Sequence, residues 1–311
     1  MGCSNSTPVD REKFTKLMRR KNITEILRKE YQQLRCEGRN LDISFEACRR
    51  RENNHSENRE GYMMCYEHSR VILPTEDNSG DYINASYVNG WRQQRKFICT
   101  QNPLGKSAVD FWRIIMMHRT RIIVMLSENS DKECCEYWDI CEGGVKCVKN
   151  FKIKTVKVMA YPNYNVTILN VSDGGKEPLE VIHFACIDWL DFCSVDGVVD
   201  FFNFLFDVKL TYRGVKKELP VKTGSNCVPP IVVHCSSGLS ATAVFCAMDI
   251  SMSEYLATGT ISLPQTAIQI CKQRYNSFFS VNDYLFYNLL MFRCVTLLSV
   301  EKYNARKLIV N

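Results

Sequence analysis

The residues best suited to chemistry are His234 and Cys235, followed by Ser236, Ser237, Gly238, Leu239, Ser240, Ala241 and Thr242. Ile231-Val232-Val233, just before them, reads as a buried strand, and the pattern after them predicts a helix from about Ser240 to Tyr255. A strand, a tight loop of small residues and a helix start together aim backbone N–H groups at one point, which suits an anion such as phosphate. Cys235, at the loop entrance, is the candidate nucleophile of such a site. The rest of the chain must supply a sheet to carry that strand and helices to cover it.

The run from His234 to Thr242 resembles the protein tyrosine phosphatase signature, His-Cys-x-x-Gly-x-x-Arg-Ser/Thr, with Ala241 where the signature has arginine. In that family the arginine grips the phosphate with a planar pair of donors and follows its charge into the transition state; alanine offers neither donor nor charge. By analogy with arginines in phosphoryl transfer, the loss is on the order of 10³–10⁵-fold in rate. Ser240 replaces a usual glycine and adds a Cβ where backbone and phosphate come close. Thr242 keeps the hydroxyl position, though with Ala241 beside it there is little for it to assist, and His234 is expected to be a structural hydrogen-bond partner.

The resemblance extends along the chain. Tyr66 to Leu73, Asp81 to Tyr87, Thr100 to Leu104 (with Asn102 for a usual glycine), Asp110 to Arg113, Ile123 to Leu126 and Tyr137-Trp138 follow the family's motifs in order. It covers roughly residues 58–290 and implies an α/β fold: a twisted mixed β-sheet flanked by helices, with a phosphate-loop-like turn at Cys235 at a strand's C-terminal end. Trp189-Leu190-Asp191 stands where the family has Trp-Pro-Asp, so Asp191 matches the aspartate that protonates the leaving oxygen from a mobile loop. A plain surface aspartate is the alternative.

Other family positions have changed. The ring-stacking tyrosine falls at Glu60, with Tyr62 a possible stand-in, and the lysine before Tyr-Trp falls at Glu133. These acids are either ordinary solvated surface or an active charge reversal against a phosphate dianion. The glutamine that positions the hydrolytic water falls at Phe279 and a second glutamine at Asp283; phenylalanine cannot orient a water. The expectation is a phosphatase scaffold that acts by binding, with Cys235 and Asp191 vestigial. The alternative is a slow Cys-dependent phosphatase with a substitute cation.

Composition fits that class. The 311 residues are 45% hydrophobic and 24% charged, which allows a substantial core. A net charge of +6 suits an acidic membrane surface or phosphorylated partners and does not argue for nucleic acid. Sixteen cysteines lack zinc-type pairing and accompany no secretory signal, so reduced, buried thiols in a reducing compartment are expected, with no metal and no cofactor.

Met1-Gly2-Cys3-Ser4-Asn5-Ser6 matches the N-myristoylation pattern at Gly2, with Cys3 a natural palmitoylation site and a basic segment behind it. Residues 1–9 are expected to be an acylated arm and 10–311 one phosphatase-like domain, with N-terminal helices at about 10–37 and a surface loop at about 38–59. An acylated arm, paired helices and a divergent domain resemble the phosphatase-like proteins of wasp-borne polydnaviruses. That group has inactive members beside active ones and is linked to interference with host immune signalling. The resemblance implies a host-cell cytoplasmic location at the inner membrane surface and a protein partner, such as a tyrosine-phosphorylated signalling protein.

Overall fold

The fold is given by a computed structural model that describes residues 7–39, 64–74, 80–126, 135–175, 177–192, 197–218 and 228–300. Its centre is an eight-stranded mixed sheet made of β2 (Ala85–Gly90), β3 (Gln93–Gln101), β4 (Ile122–Met125), β5 (Val145–Val148), β6 (Phe151–Ala160), β7 (Tyr164–Ser172), β8 (Leu179–Cys186) and β9 (Ile231–Cys235). Their spatial order is β2-β3-β9-β4-β8-β7-β6-β5. The inner strands β3, β9, β4 and β8 are parallel, and antiparallel partners finish both sides. This is the twisted mixed α/β architecture that the motifs imply.

The alternation of side chains explains why the middle strands are apolar throughout. Ile231 and Val233 of β9 face one core with Phe97 and Cys99 of β3, while Val232 faces the other with Ile98 and Ile123. A strand covered on both sides has no polar face, and β-branched residues fit it well. Register places Gln101 beside Cys235, so the sulfur sits at the carboxyl edge of the parallel strands, where α/β folds bind ligands.

The first core lies under α1 (Arg11–Met18), α2 (Ile23–Arg39), α4 (Trp189–Phe192), α5 (Gly197–Glu218), α6 (Ala241–Thr258), α7 (Leu263–Gln273) and α8 (Val281–Val300). The second lies under α3 (Ala108–His118) and the segment carrying Val71 and Leu73. A short pair, β1 (Val9–Asp10) with β10 (Thr260–Ile261), ties the N-terminal segment to the end of α6. The helix α8 begins at Val281. Ser280 and Asp283 form reciprocal bonds at its start, Ser280 N–H to Asp283 Oδ2 at 2.9 Å and Asp283 N–H to Ser280 Oγ at 3.3 Å. Most of the expected surface loop at 38–59 lies outside the described residues.

A buried charge cluster locks α6 to the sheet. Asp249 on α6 receives Lys96 of β3 at 2.5 Å and Lys209 of α5 at 2.9 Å, and Lys209 also donates to Ser253 Oγ at 2.6 Å. Two ammonium groups share one carboxylate, so the buried cluster keeps a surplus positive charge. Burial drives Lys209 down to about 8 against the pull of Asp249. Burial works against ionisation of Asp249 too, but the charges of Lys209 and Lys96 outweigh it and bring that carboxyl down to about 2. Asp249→Asn leaves both ammonium groups without their acid and is expected to cost about 3–5 kcal/mol, read from the urea midpoint at neutral pH. Because the carboxyl is held below its ordinary 3.8, its contribution is present above that value and is lost as the pH falls toward about 2. The gap between the wild type and Asp249→Asn should close over that window.

Candidate active site

The loop from Ser236 to Ser240 joins β9 to α6 and wraps around one sulfur. Cys235 is buried, and its Sγ accepts the Gly238 N–H at 3.2 Å and the Thr242 hydroxyl at 3.1 Å. Thr242, expected to have little to assist without its arginine neighbour, thus has a partner: it is the second residue of α6 and faces the sulfur. Leu239 N–H is taken by Ser237 Oγ at 3.3 Å, which closes the turn on itself.

Gly238 is where the loop's shape depends on residue type. Its φ is +70°, and a Cβ there would lie 2.3 Å from the Thr100 carbonyl oxygen of β3. Only glycine satisfies both the left-handed backbone and that close approach.

From behind, Arg274, at the end of α7, braces the loop. It is 1% exposed, and its Nε donates to the Gly238 carbonyl at 2.7 Å. Nη2 reaches Asn84 Oδ1 at 2.9 Å and the Ser237 carbonyl at 3.5 Å, while Nη1 reaches Ser86 Oγ at 3.3 Å. Five donors in a fixed fork pin one loop, one strand and one helix end together. With the carbonyls of Ser237 and Gly238 drawn backward, the loop's opposite side is left to its N–H groups. Asn102 N–H, bonded to the Cys235 carbonyl at 2.8 Å, secures the strand end from the neighbouring side.

His234 is the structural partner that the sequence predicts. Its Nδ1 lies 2.6 Å from Asn102 Oδ1 and its Nε2 2.7 Å from the Tyr137 hydroxyl, which lies 2.6 Å from His183 Nε2. The carbonyl oxygen of Asn102 can only accept, so Nδ1 of His234 carries the proton. In neutral His234, Nε2 then takes the Tyr137 proton, and His183 Nε2 must donate to the Tyr137 oxygen. Burial pushes His183 down to about 3, which keeps it neutral at ordinary pH, and its Nδ1 is left without a partner. Asn102, Tyr137, His183 and Arg274 are supports that sequence reasoning did not assign. Asn102 and Tyr137 stood in recognised motifs, and nothing local tells which of them meet.

The remaining positions are placed as follows. Ala241, which the resemblance sets at the signature arginine's position, is buried at the first position of α6. Ser240 precedes it with φ −88°, an ordinary backbone angle, and its side chain does not cap the helix. Ser240 and Ser280 both favour the charged form of the Asp283 carboxyl, but burial outweighs them and raises it. Phe279 is 52% exposed, and its carbonyl accepts from Tyr31 of α2 at 3.0 Å. Asp191 has its backbone in α4, directly before residues that are not described; its side chain, and the whole of Gly2, Cys3, Glu60 and Glu133, lie outside the described part. Among the described residues, no three His, Cys, Asp or Glu side chains converge as a metal site.

A thiol at the carboxyl edge of a mixed sheet, circled by a five-residue turn and a helix start, is the site architecture of a phosphatase fold. The protein-tyrosine phosphatase family profile matches residues 54–293, and the chain belongs to that family. Its relatives include tyrosine phosphatase H2 of Microplitis demolitor bracovirus (isolate Webb), 40% identical over 96% of this chain and 91% of that protein. Tyrosine phosphatase-like protein J1 of the same virus is 34% identical over 85% of this chain and 88% of its own length. Human tyrosine-protein phosphatase non-receptor type 9 is 28% identical over 83% of this chain and 44% of its own length.

Gly238→Ala is expected to cost about 2 kcal/mol or more through backbone strain and the clash with Thr100. Displacing the loop should also speed alkylation of Cys235, measured by iodoacetamide mass labelling beside the urea midpoint.

Proposed function

We propose that this chain is a phosphatase relative that works by binding rather than by turnover. The observation that carries the reading is Ala241: a methyl group at the start of α6 where phosphate capture requires a guanidinium. Asp283 adds to it, since a carboxylate that feels Ser240, the residue before the same helix start, opposes a dianion. Arg274 does not substitute, because its fork is engaged with Gly238, Ser237, Asn84 and Ser86 on the loop's carbonyl side. Cys235 and Asp191 are then vestigial nucleophile and acid.

A slow Cys-dependent phosphatase is the second reading, and one feature favours it. Gly238 N–H and the Thr242 hydroxyl still converge on the sulfur as an attacking thiol requires. The two readings part on hydrolysis of a phosphotyrosine peptide, with Cys235→Ser as the blank. Turnover no greater than the blank is expected; turnover above it overturns the binding reading. Ala241→Arg alone should recover little if the Asp283 carboxyl, which feels the neighbouring Ser240, competes for the new guanidinium. Ala241→Arg with Asp283→Gln should recover more, and equal recovery in both would remove Asp283 from the account.

The partner we assign is a tyrosine-phosphorylated signalling protein or another protein of an infected host cell. The bracovirus relatives support the host setting. Gly2 and Cys3 would place the chain at the inner membrane surface by myristoylation and palmitoylation. No helix among the described residues is long and apolar enough to cross a membrane. Gly2→Ala should move the protein from the membrane to the soluble fraction of insect cells and abolish incorporation of a myristate analogue.

A further inference from the structure

The net charge of +6 is not spread along the chain. Arg11 to Lys29 holds eight cations and two acids, which accounts for all of it; the remaining residues carry 32 charges of each sign. Lys13 is paired with Asp10 at 3.3 Å and Lys29 with Glu25 at 2.7 Å. Arg11, Lys16, Arg19, Arg20, Lys21 and Arg28 are exposed and have no acidic partner among the described residues.

The fold turns this run outward. Phe14, Leu27 and Leu34 enter the first core, so the apolar sides of α1 and α2 are already covered by protein. At about 100° per residue, Lys16 stands roughly 200° around α1 from Phe14, on its outer side. Arg19, Arg20 and Lys21 form the turn between the helices. The corner is held firmly: Asp10 caps α1 through Lys13 N–H at 2.8 Å, and Tyr31 donates to the carbonyls of Phe278 and Phe279 at 2.9 and 3.0 Å. Tyr284 donates to Glu30 at 2.9 Å, and Arg35 to Asn276 Oδ1 at 2.8 Å.

We infer that the α1–α2 corner is a docking surface for an anionic membrane leaflet. It engages lipid headgroups by charge and inserts no apolar face. Charge complementarity supports this, and so does the position of the preceding chain. The described residues begin at Thr7, next to α1, and the six before it, with Gly2 and Cys3, span about 20 Å at most when extended. Acyl chains on that arm would hold the corner against the headgroups, supplying the second signal that a single myristoyl chain needs. The inference deepens the membrane reading of the arm without depending on acylation.

The test is sedimentation of the unacylated full chain with phosphatidylcholine vesicles, with and without phosphatidylserine. Binding to the anionic vesicles alone, weakening steeply with added salt, is expected. Arg19→Glu with Arg20→Glu and Lys21→Glu should weaken it on the order of 10–100-fold. The control Lys152→Glu with Lys154→Glu and Lys157→Glu makes the same charge change on exposed positions of β6 and should leave binding within a few-fold. Circular dichroism checks that both variants are folded. No binding to anionic vesicles, equal loss in the control, or preferential binding to duplex DNA or a polyglutamate peptide over vesicles would overturn the inference. Failure here leaves the Gly2→Ala outcome standing, so the arm and the corner are judged separately.

Discussion

The active-site turn depends on one buried guanidinium and one missing Cβ. Arg274 holds the carbonyls of Ser237 and Gly238 from behind, and Gly238 adopts a left-handed angle against the Thr100 carbonyl. Together they fix which side of the loop presents oxygen and which presents N–H. The sulfur of Cys235, the hydroxyl of Thr242 and the start of α6 take their places from that choice. A full positive charge in the interior is costly unless its donors are satisfied, and here backbone carbonyls, Asn84 and Ser86 satisfy them. The brace is therefore as demanding of its surroundings as they are of it.

These supports all act from behind or below the loop. The relay from His183 through Tyr137 and His234 to Asn102 runs below the strand end, and Arg274 lies behind the loop. An arginine that projects into the pocket takes no part in either. Alanine at the first position of α6 suits the helix, so its presence costs the fold little. Asp283 likewise has a local use, at the start of α8 with Ser280. A scaffold built this way can lose a substrate-facing group and keep its shape.

The N-terminal helices join the two halves of this picture. Their inner side carries Tyr31 and Arg35, which hold the segment before α8 that borders the loop, and their outer side carries the chain's surplus charge. One pair of helices thus steadies the rim of the site and gives the molecule an electrically distinct face. The rest of the chain is close to neutral, so the charge sets an orientation as well as an attraction.

The sequence by itself determined the family and the strand–loop–helix around Cys235. Each is a local property: residue type, spacing, or a motif read along a few positions. It also set N-terminal helices at about residues 10–37, where the structure has Arg11–Met18 and Ile23–Arg39. What only the tertiary structure decided is which distant residues meet. That Arg274 grips Gly238, that Asn102 orders the protons of His234, and that Thr242 turns to the sulfur all depend on separations of chain that no pattern encodes. The same holds for Lys96, Asp249 and Lys209, three unremarkable charges in sequence that burial makes into one cluster. Hydrophobic periodicity is written into neighbouring residues, whereas hydrogen bonds and buried charges take their meaning from contacts made only after the sheet and its helices have packed.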